Sequence, residues 1–404
     1  MPARTRSRSA ATEPAPGYAN VPNAGNQGPT VPFCQGSKPE TEIAYSWAKI
    51  EPSANAQPLG PIALPANGYV RNVWIEVETT KTGVEEGITI AEDMPFSLFE
   101  QIKLTEPNGA PLGMELKGFS AYLANTLGAY AGSPDPENQI EYNKGPLVPR
   151  FALRVPVELT PNGLGALGNQ SASAALRLTL TIAPLGAAYY SAGKYKVGEA
   201  PQFTIRVIME LWGEPPERDI LGRAVQQSPP FEGTAQYWSE QPGVTINKGL
   251  NQTRITRVGS MIRTLVFVFR EGGVRKEGDK VANTGASNLQ VQWDNRVFRT
   301  QTPFYNWQSM EEAIERIKER KKGVYWFCFS QGENRHAGEP GINSWLATLT
   351  STRLELLNTA ENAGTVDILV NDISVTAINP LERTQQIGVG GYHPPVGQVS
   401  NVAA

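Results

Sequence analysis

Histidine and cysteine are nearly missing from this chain of 404 residues, with two of each. Cys34 sits in a Pro/Gly-rich segment and Cys328 in an apolar run. Their spacing predicts free thiols rather than a disulfide framework, so nothing demands an oxidising compartment. His336 lies in a Gly/Glu/Asn stretch and His393 in a Pro/Gly stretch. Neither stands in an HExxH or CxxC context, which argues against a zinc site. No GxSxG elbow exists to place a nucleophilic serine beside either histidine. Charge is also scarce. Only 19% of residues are charged and the net charge is −3, which does not fit the strongly basic footprint of a nucleic-acid-binding domain. No apolar run approaches the ~18 residues of a helical membrane span. The opening MPARTRSRSAATEPAPG has no apolar core of a signal peptide. These absences lead to the expectation of a soluble cytoplasmic product that is not an enzyme and carries no cofactor or metal.

What remains of possible chemistry is weak. Gly163, Gly165 and Gly168 spell GxGxxG, but a β-rich stretch follows where a dinucleotide site needs a helix and a later acidic residue. Glu85-Glu86 and Glu92-Asp93 read as solvated turns rather than a glycosidase pair. The basic run Glu319–Lys322 reads as the end of a helix rather than a nucleic-acid patch.

The chain is rich in turns, with 39 glycines and 32 prolines, and most of it alternates. In GYVRNVWIEVETT (Gly68–Thr80), Tyr69, Val73, Ile75 and Val77 share one face, with Asn72, Trp74, Glu76 and Glu78 on the other. That period of two predicts a half-buried strand. Ile102 and Leu104 alternate likewise before Pro107-Asn108-Gly109, a turn whose proline presets φ and whose glycine accepts positive φ. Arg150–Leu159, Ala175–Ile182 and Gln202–Trp212 continue the pattern. Met261–Phe269, Gly323–Phe329, the RLELL core within Ser344–Asn358, and Gly364–Ile378 form a second β block. In the last of these, Val366, Ile368 and Val370 alternate on even positions, then Ile373 and Val375 on odd ones. The slip predicts a bulge near Asn371-Asp372.

Each block carries one helical pattern. Leu116, Phe119, Leu123, Leu127 and Tyr130 form an amphipathic stripe. Met310–Lys322 forms a second, with Ser309 and Glu312 as a capping box and Gly323 as its end. Paired prolines at 215–216 and 229–230 mark a boundary. The expected organisation is an extended arm over 1–40, a first jelly roll over 41–213, a linker over 214–233, a second over 234–380 and a tail over 381–404. The segment Glu271–Ser287 is a candidate exposed loop. The fold expected is all-β: two separate jelly-roll barrels or sandwiches in tandem, each with a flanking helix.

The order of four stretches carries a family resemblance. They are GYVRNVWIEVETT leading to SLFEQIKLTEPNGAPL, then TPNGLGALGNQSASAALRLTLTI (Thr160–Ile182), then MIRTLVFVFREGG (Met261–Gly273), then the helix Met310–Lys322 running into GVYWFC. The last resembles the family's Lys-Gly-Val-Tyr-Tyr junction, with Trp326 at the second tyrosine. Together they span most of 65–380, and the chain resembles the major capsid proteins of the tectivirus type, the double jelly-roll lineage of the adenovirus hexon. The Pro-rich arm has no counterpart of that family's N-terminal helix.

The resemblance implies a structural coat protein of an icosahedral virion, such as a bacteriophage, assembled in the host cytoplasm. Three chains would form a pseudo-hexameric homotrimer and tile a shell, with penton or other vertex and minor capsid proteins as partners. Lipid-containing relatives enclose a membrane. Arg4, Arg6 and Arg8 of the arm would then meet anionic lipid, or acidic groups of a neighbour. Sequence-specific nucleic acid is not an expected partner. The competing readings are another virion protein, such as a spike, or a two-sandwich carbohydrate-active protein.

Overall fold

The computed structural model describes residues 30–375, apart from 83–88, 129–134, 145–147, 160–162, 189, 193–200, 231–233, 277–288, 314–316, 318 and 330–344. Arg4, Arg6, Arg8, both histidines, Glu85-Glu86, the tail over 381–404 and most of the Glu271–Ser287 loop lie outside the described residues.

The first half holds a helical turn α1 (Phe33–Gly36) and strands β1 (Pro39–Ile50), β2 (Gln57–Ala63), β3 (Tyr69–Lys81), β4 (Thr89–Ile90), β5 (Phe99–Thr105) and β6 (Pro111–Leu116). Helix α2 (Gly118–Leu127) follows, then β7 (Arg150–Pro156), β8 (Leu167–Gly168), β9 (Arg177–Ile182), the turn α3 (Leu185–Ala188), β10 (Tyr190–Ala192) and β11 (Gln202–Trp212). The second half runs β12 (Thr234–Ile246), β13 (Gly249–Ile255), β14 (Met261–Glu271), β15 (Val274–Arg275), β16 (Leu289–Trp293) and β17 (Arg296–Gln301). It ends with α4 (Pro303–Ala313), β18 (Val324–Cys328), β19 (Leu346–Ala347), β20 (Leu354–Ala360) and β21 (Gly364–Val375).

The two halves repeat one strand plan. In the first, β1-β11-β3-β7 faces β2-β9-β5-β6; in the second, β12-β21-β14-β18 faces β13-β20-β16-β17. The short strand β8 pairs with β3, as β19 pairs with β14. Each half is a jelly roll with its helix between the fifth and sixth main strands.

The repetition reaches single residues. β3 bulges at Arg71, because Val70 faces Leu211 while Asn72 faces Glu210. β14 bulges at Arg263, because Ile262 faces Asp372 while Thr264 faces Asn371. The carbonyl of Arg71 accepts N–H bonds from Val157 and Glu158, just past β7, and that of Arg263 accepts one from Phe329, just past β18. Arg71 lies over the Trp212 ring at 4.4 Å and Arg263 over Trp345 at 5.5 Å.

An asparagine fastens each helix to its barrel. The Nδ2 of Asn125 donates to the Arg154 carbonyl (2.6 Å) and its Oδ1 accepts the Arg154 N–H (2.8 Å). Asn306 does the same to Trp326, at 2.6 and 2.9 Å. Arg154 and Trp326 are themselves counterparts, since Trp74 faces one and Val266 the other. β7 and β18 end their sheets, so the amide closes backbone groups that an edge strand would leave open.

Several expectations change. The bulge expected near Asn371-Asp372 lies on the facing strand, at Arg263. The bulge at Arg71 turns Tyr69 off the face shared by Val73, Ile75 and Val77, into a separate cluster with Phe33 and Trp212. Phe33 is fully buried there, so the chain is anchored by residue 33. Every residue of α2 is buried, so it has no solvent face. Helix α4 begins at Pro303, and Ser309 falls inside it. Thr302 caps it by accepting the Tyr305 N–H at 3.1 Å, and proline suits the first helical position. Lys321 and Lys322 lie outside any helix, and Gly323 forms the turn into β18 with φ of 68°. A Cβ there would stand 2.4 Å from the Lys276 carbonyl oxygen. The Pro107-Asn108-Gly109 turn forms as expected, with Gly109 at φ 88° and its N–H donating to Glu106.

The barrels are also not separate. β12 lies parallel to β6, with Tyr237, Trp238 and Ser239 facing Gly113, Met114 and Glu115. This joins the inner sheets of the two halves into one hydrogen-bonded surface.

Candidate functional site: the barrel seam and the free edges

The chemistry that the sequence left open does not assemble. A cleft of about 480 Å³ is lined by Glu100, Gln101, Glu115, Lys117, Thr181 and Glu240. Another, of about 720 Å³, lies between α1 and the segment after β11, beside Lys38, Glu40, Arg218, Asp219 and Arg223. Among the described residues no serine, cysteine or histidine lines either cleft. Among the described residues no three His, Cys, Asp or Glu side chains gather to hold a metal. Gly163 and Gly165 adopt positive φ in a turn before β8, without a following helix. No helix among the described residues is long and apolar enough to cross a membrane.

Several buried charges lie instead where the barrels meet. β14, β18 and β21 are buried on both faces. Leu265, Phe267, Phe269, Tyr325 and Phe327 point into the second barrel. Val266, Val268, Val324, Trp326 and Leu369 point the other way and join the core of the first. Trp326 donates its indole N–H to the Leu127 carbonyl at the end of α2, at 3.1 Å. Trp326 is thus a contact between barrels.

Ion pairs frame that apolar layer. Arg270 bridges Asp93 (2.7 Å) of the first half and Asp367 (2.9 Å) of the second. Arg275 reaches Asp93 at 2.7 Å and lies over the Phe119 ring at 4.7 Å. Lys321 meets Glu137 at 2.8 Å, with both side chains almost wholly buried. The pair Glu92-Asp93, read as solvated, is therefore a clamp, and the run Glu319–Lys322 supplies a seam ion pair.

The surroundings shift several protonation equilibria. Burial pushes the Glu240 carboxyl above its usual range, against the pull of the Lys117 N–H and ammonium. Burial first, then neighbouring carboxylates, raise the phenols of Tyr122, Tyr142 and Tyr237. They stay protonated as donors: Tyr142 to Glu137 and Tyr237 to Glu115.

At the two far ends of this joined unit lie open strand edges. β1 pairs only with β11, and β17 only with β16, among the described residues. Ile43 and Tyr45 on β1, Val297 and Phe298 on β17, and Phe304 and Tyr305 on α4 are exposed. They make up half of the large exposed apolar side chains among the described residues.

Neither protein-family models nor curated proteins match the sequence. Solved structures do. The major capsid protein of bacteriophage PM2 aligns over 85% of this chain and 99% of its own, with a TM-score of 0.52 and 12% identity. The capsid protein of PBCV-1 virus aligns over 85% and 97%, with a TM-score of 0.55 and 12% identity. The major capsid protein of Sulfolobus turreted icosahedral virus aligns over 84% and 97%, with a TM-score of 0.54 and 10% identity. The fold is the double jelly roll. The alignments take in nearly the whole of each capsid chain, so both barrels of this double jelly roll share in the likeness. At 10–12% identity the likeness is one of fold.

Proposed function

We propose that this chain is the major capsid protein of an icosahedral virus, a structural protein whose work is burial and geometry. The observation that carries the reading is the pair of like barrels fused by a shared apolar layer, in an alignment that spans almost the full length of viral capsid proteins. A rigid two-barrel unit of one chain becomes a six-barrel capsomer when three copies close by cyclic symmetry. Such a capsomer presents a hexagonal outline for tiling, and its closure buries on the order of 2,000 Å² or more, the scale of obligate assemblies.

The domain limits proposed are those of the sequence reading: arm over 1–40, barrels over 41–213 and 234–380, linker over 214–233 and tail over 381–404. Arm and tail would strap neighbouring capsomers. Arg4, Arg6 and Arg8 would meet an internal membrane or a neighbour's acidic groups, at about 1 kcal/mol per basic residue near an anionic surface. Vertex and minor capsid proteins complete the virion as partners, with assembly in the host cytoplasm.

Sedimentation velocity of the purified chain tests the reading. A stable species of three times the chain mass is expected. A monomer at micromolar concentration overturns it.

A further inference from the structure

The internal repetition makes the seam inside the chain a template for a contact outside it. Within the chain, β12, the first strand of the second barrel, lies parallel to β6 of the first. The counterpart of β6 is β17: Leu116 faces Ile102 and Gln301 faces Leu289, and each residue precedes its helix by two positions. Thr300 corresponds to Glu115, since Thr300 faces Gln290 as Glu115 faces Lys103; beyond this pair β6 bulges by Gly113 and Met114 where β17 bulges by Phe298 alone. The counterpart of β12 is β1. Glu40 faces Leu211 as Tyr237 faces Asp372, and Leu211 and Asp372 each sit beside the residue before the bulge. Glu40, Thr41 and Glu42 therefore correspond to Tyr237, Trp238 and Ser239.

The inner strands of this template are covered and their counterparts are bare. Met114 and Trp238 are fully buried, whereas Glu40 to Ile43 are exposed and β17 is exposed over most of its length. The helices agree. Phe119 is the second residue of α2 and is buried under Arg270 and Arg275 of the second barrel. Phe304 is the second residue of α4, and it is 72% exposed. Position and side chain are the same; only one of the two has a barrel beside it.

The geometry points to one occupant for this bare edge: β1 of a second copy of the chain, lying parallel to β17 with Glu42 beside Thr300, as Ser239 lies beside Glu115. This rests on the capsid reading and gives it a residue register. Charge agrees with it, since β1 carries Glu40 and Glu42 where β17 carries Arg296 and Arg299. Apolar surface agrees too. Ile43 stands where Glu240 stands in the second barrel, and Glu240 accepts the N–H of Lys117 at the start of α2. In the contact between copies, Ile43 meets the start of α4, where Phe304 and Tyr305 are exposed. The contact is heterologous, so each copy offers one edge and accepts another, and three copies close when each barrel-to-barrel step turns by about a sixth of a circle.

Cysteine cross-linking with a surface variant tests it. The chain carrying both Glu42→Cys and Thr300→Cys is oxidised and run without reductant. Paired Cα positions of adjacent strands lie within disulfide reach, so a covalent ladder ending at three chains is expected. Neither single variant forms it, and reductant abolishes it. Separately, Phe304→Lys is expected to weaken trimer formation by about tenfold or more, as removal of an interface anchor does. Monomer thermal unfolding stays unchanged, and Ile140→Lys, at another fully exposed isoleucine, has no effect. A folded double variant that sediments as a trimer without forming the ladder overturns the register, as does Phe304→Lys with unaltered trimers. In both cases the capsid reading survives. A wild-type chain that never forms trimers sinks the capsid reading itself.

Discussion

The two barrels share a plan and differ on one face. The outer face of β3, β7 and β11 carries Trp74, Glu76, Ala152, Arg154 and Ile208, all half-buried. The matching face of β14, β18 and β21 carries Val266, Val268, Val324, Trp326 and Leu369, all buried. One sheet has a mixed, half-buried outer surface and the other an apolar, buried one. The difference separates two kinds of contact. The apolar face is fused permanently to the neighbouring barrel in the same chain. The mixed face, with its Arg206–Glu78 pair at 2.8 Å, is suited to a contact that forms after folding.

The sharpest way to break this comparison is to cut the same depth from both faces. Trp326→Ala removes a buried ring and its hydrogen bond, and is expected to cost about 3–5 kcal/mol by chemical denaturation. Trp74→Ala, on the half-buried face, is expected to cost roughly 1 kcal/mol. Equal losses would mean that the seam is not a core.

The asparagine clamps sharpen the likeness instead. Asn125→Leu and Asn306→Leu each leave a buried strand-edge carbonyl and N–H without the amide, at about 1–3 kcal/mol for each group left unsatisfied. Similar destabilisation is expected from both, with faster hydrogen exchange at the amides of Arg154 and Trp326 respectively. A loss at one site only would show that the two clamps are not equivalent in the folded chain.

A smaller effect separates the charged from the apolar part of the seam. Asp93→Asn weakens the bridges to Arg270 and Arg275 and is expected to lower stability by about 1–2 kcal/mol, measured as a shift in urea midpoint.

The smallest expected effect concerns Glu240. Its folded carboxyl is held above its unfolded range by burial. A raised acid is best tolerated when protonated, so its contribution is present below the ordinary carboxylate range and lost as pH rises through the folded value. Glu240→Gln should therefore raise the melting temperature at pH 7 and leave it unchanged near pH 3. The reverse pattern would place the ionised form in a favourable site.

Much of the fold was legible along the chain. The faces of β11, the Pro107–Gly109 turn, the presence of one helix in each block and the β character of both blocks follow from period, propensity and turn chemistry, whereas the bounds of the second helix and the full burial of the first do not. The seam was less so. Leu265–Phe269 and Val324–Phe329 are continuous apolar runs, and such runs signal burial on both faces without saying against what. Thr302-Pro303 was a readable helix start, but the capping pattern at Ser309 and Glu312 competed with it. The surface argument at Glu92-Asp93 failed because the partners Arg270 and Arg275 are far away in sequence.

By itself, then, the order of residues determined which side chains in each strand could be buried and where the backbone turns, because these depend on neighbours within a few positions. Tertiary structure alone decided that Val266 and Trp326 serve the first barrel rather than the second, that Asn125 and Asn306 are the same device, and that Phe119 is covered while Phe304 is bare. Each of these is set by groups far apart in the chain that folding brings within hydrogen-bond or van der Waals distance.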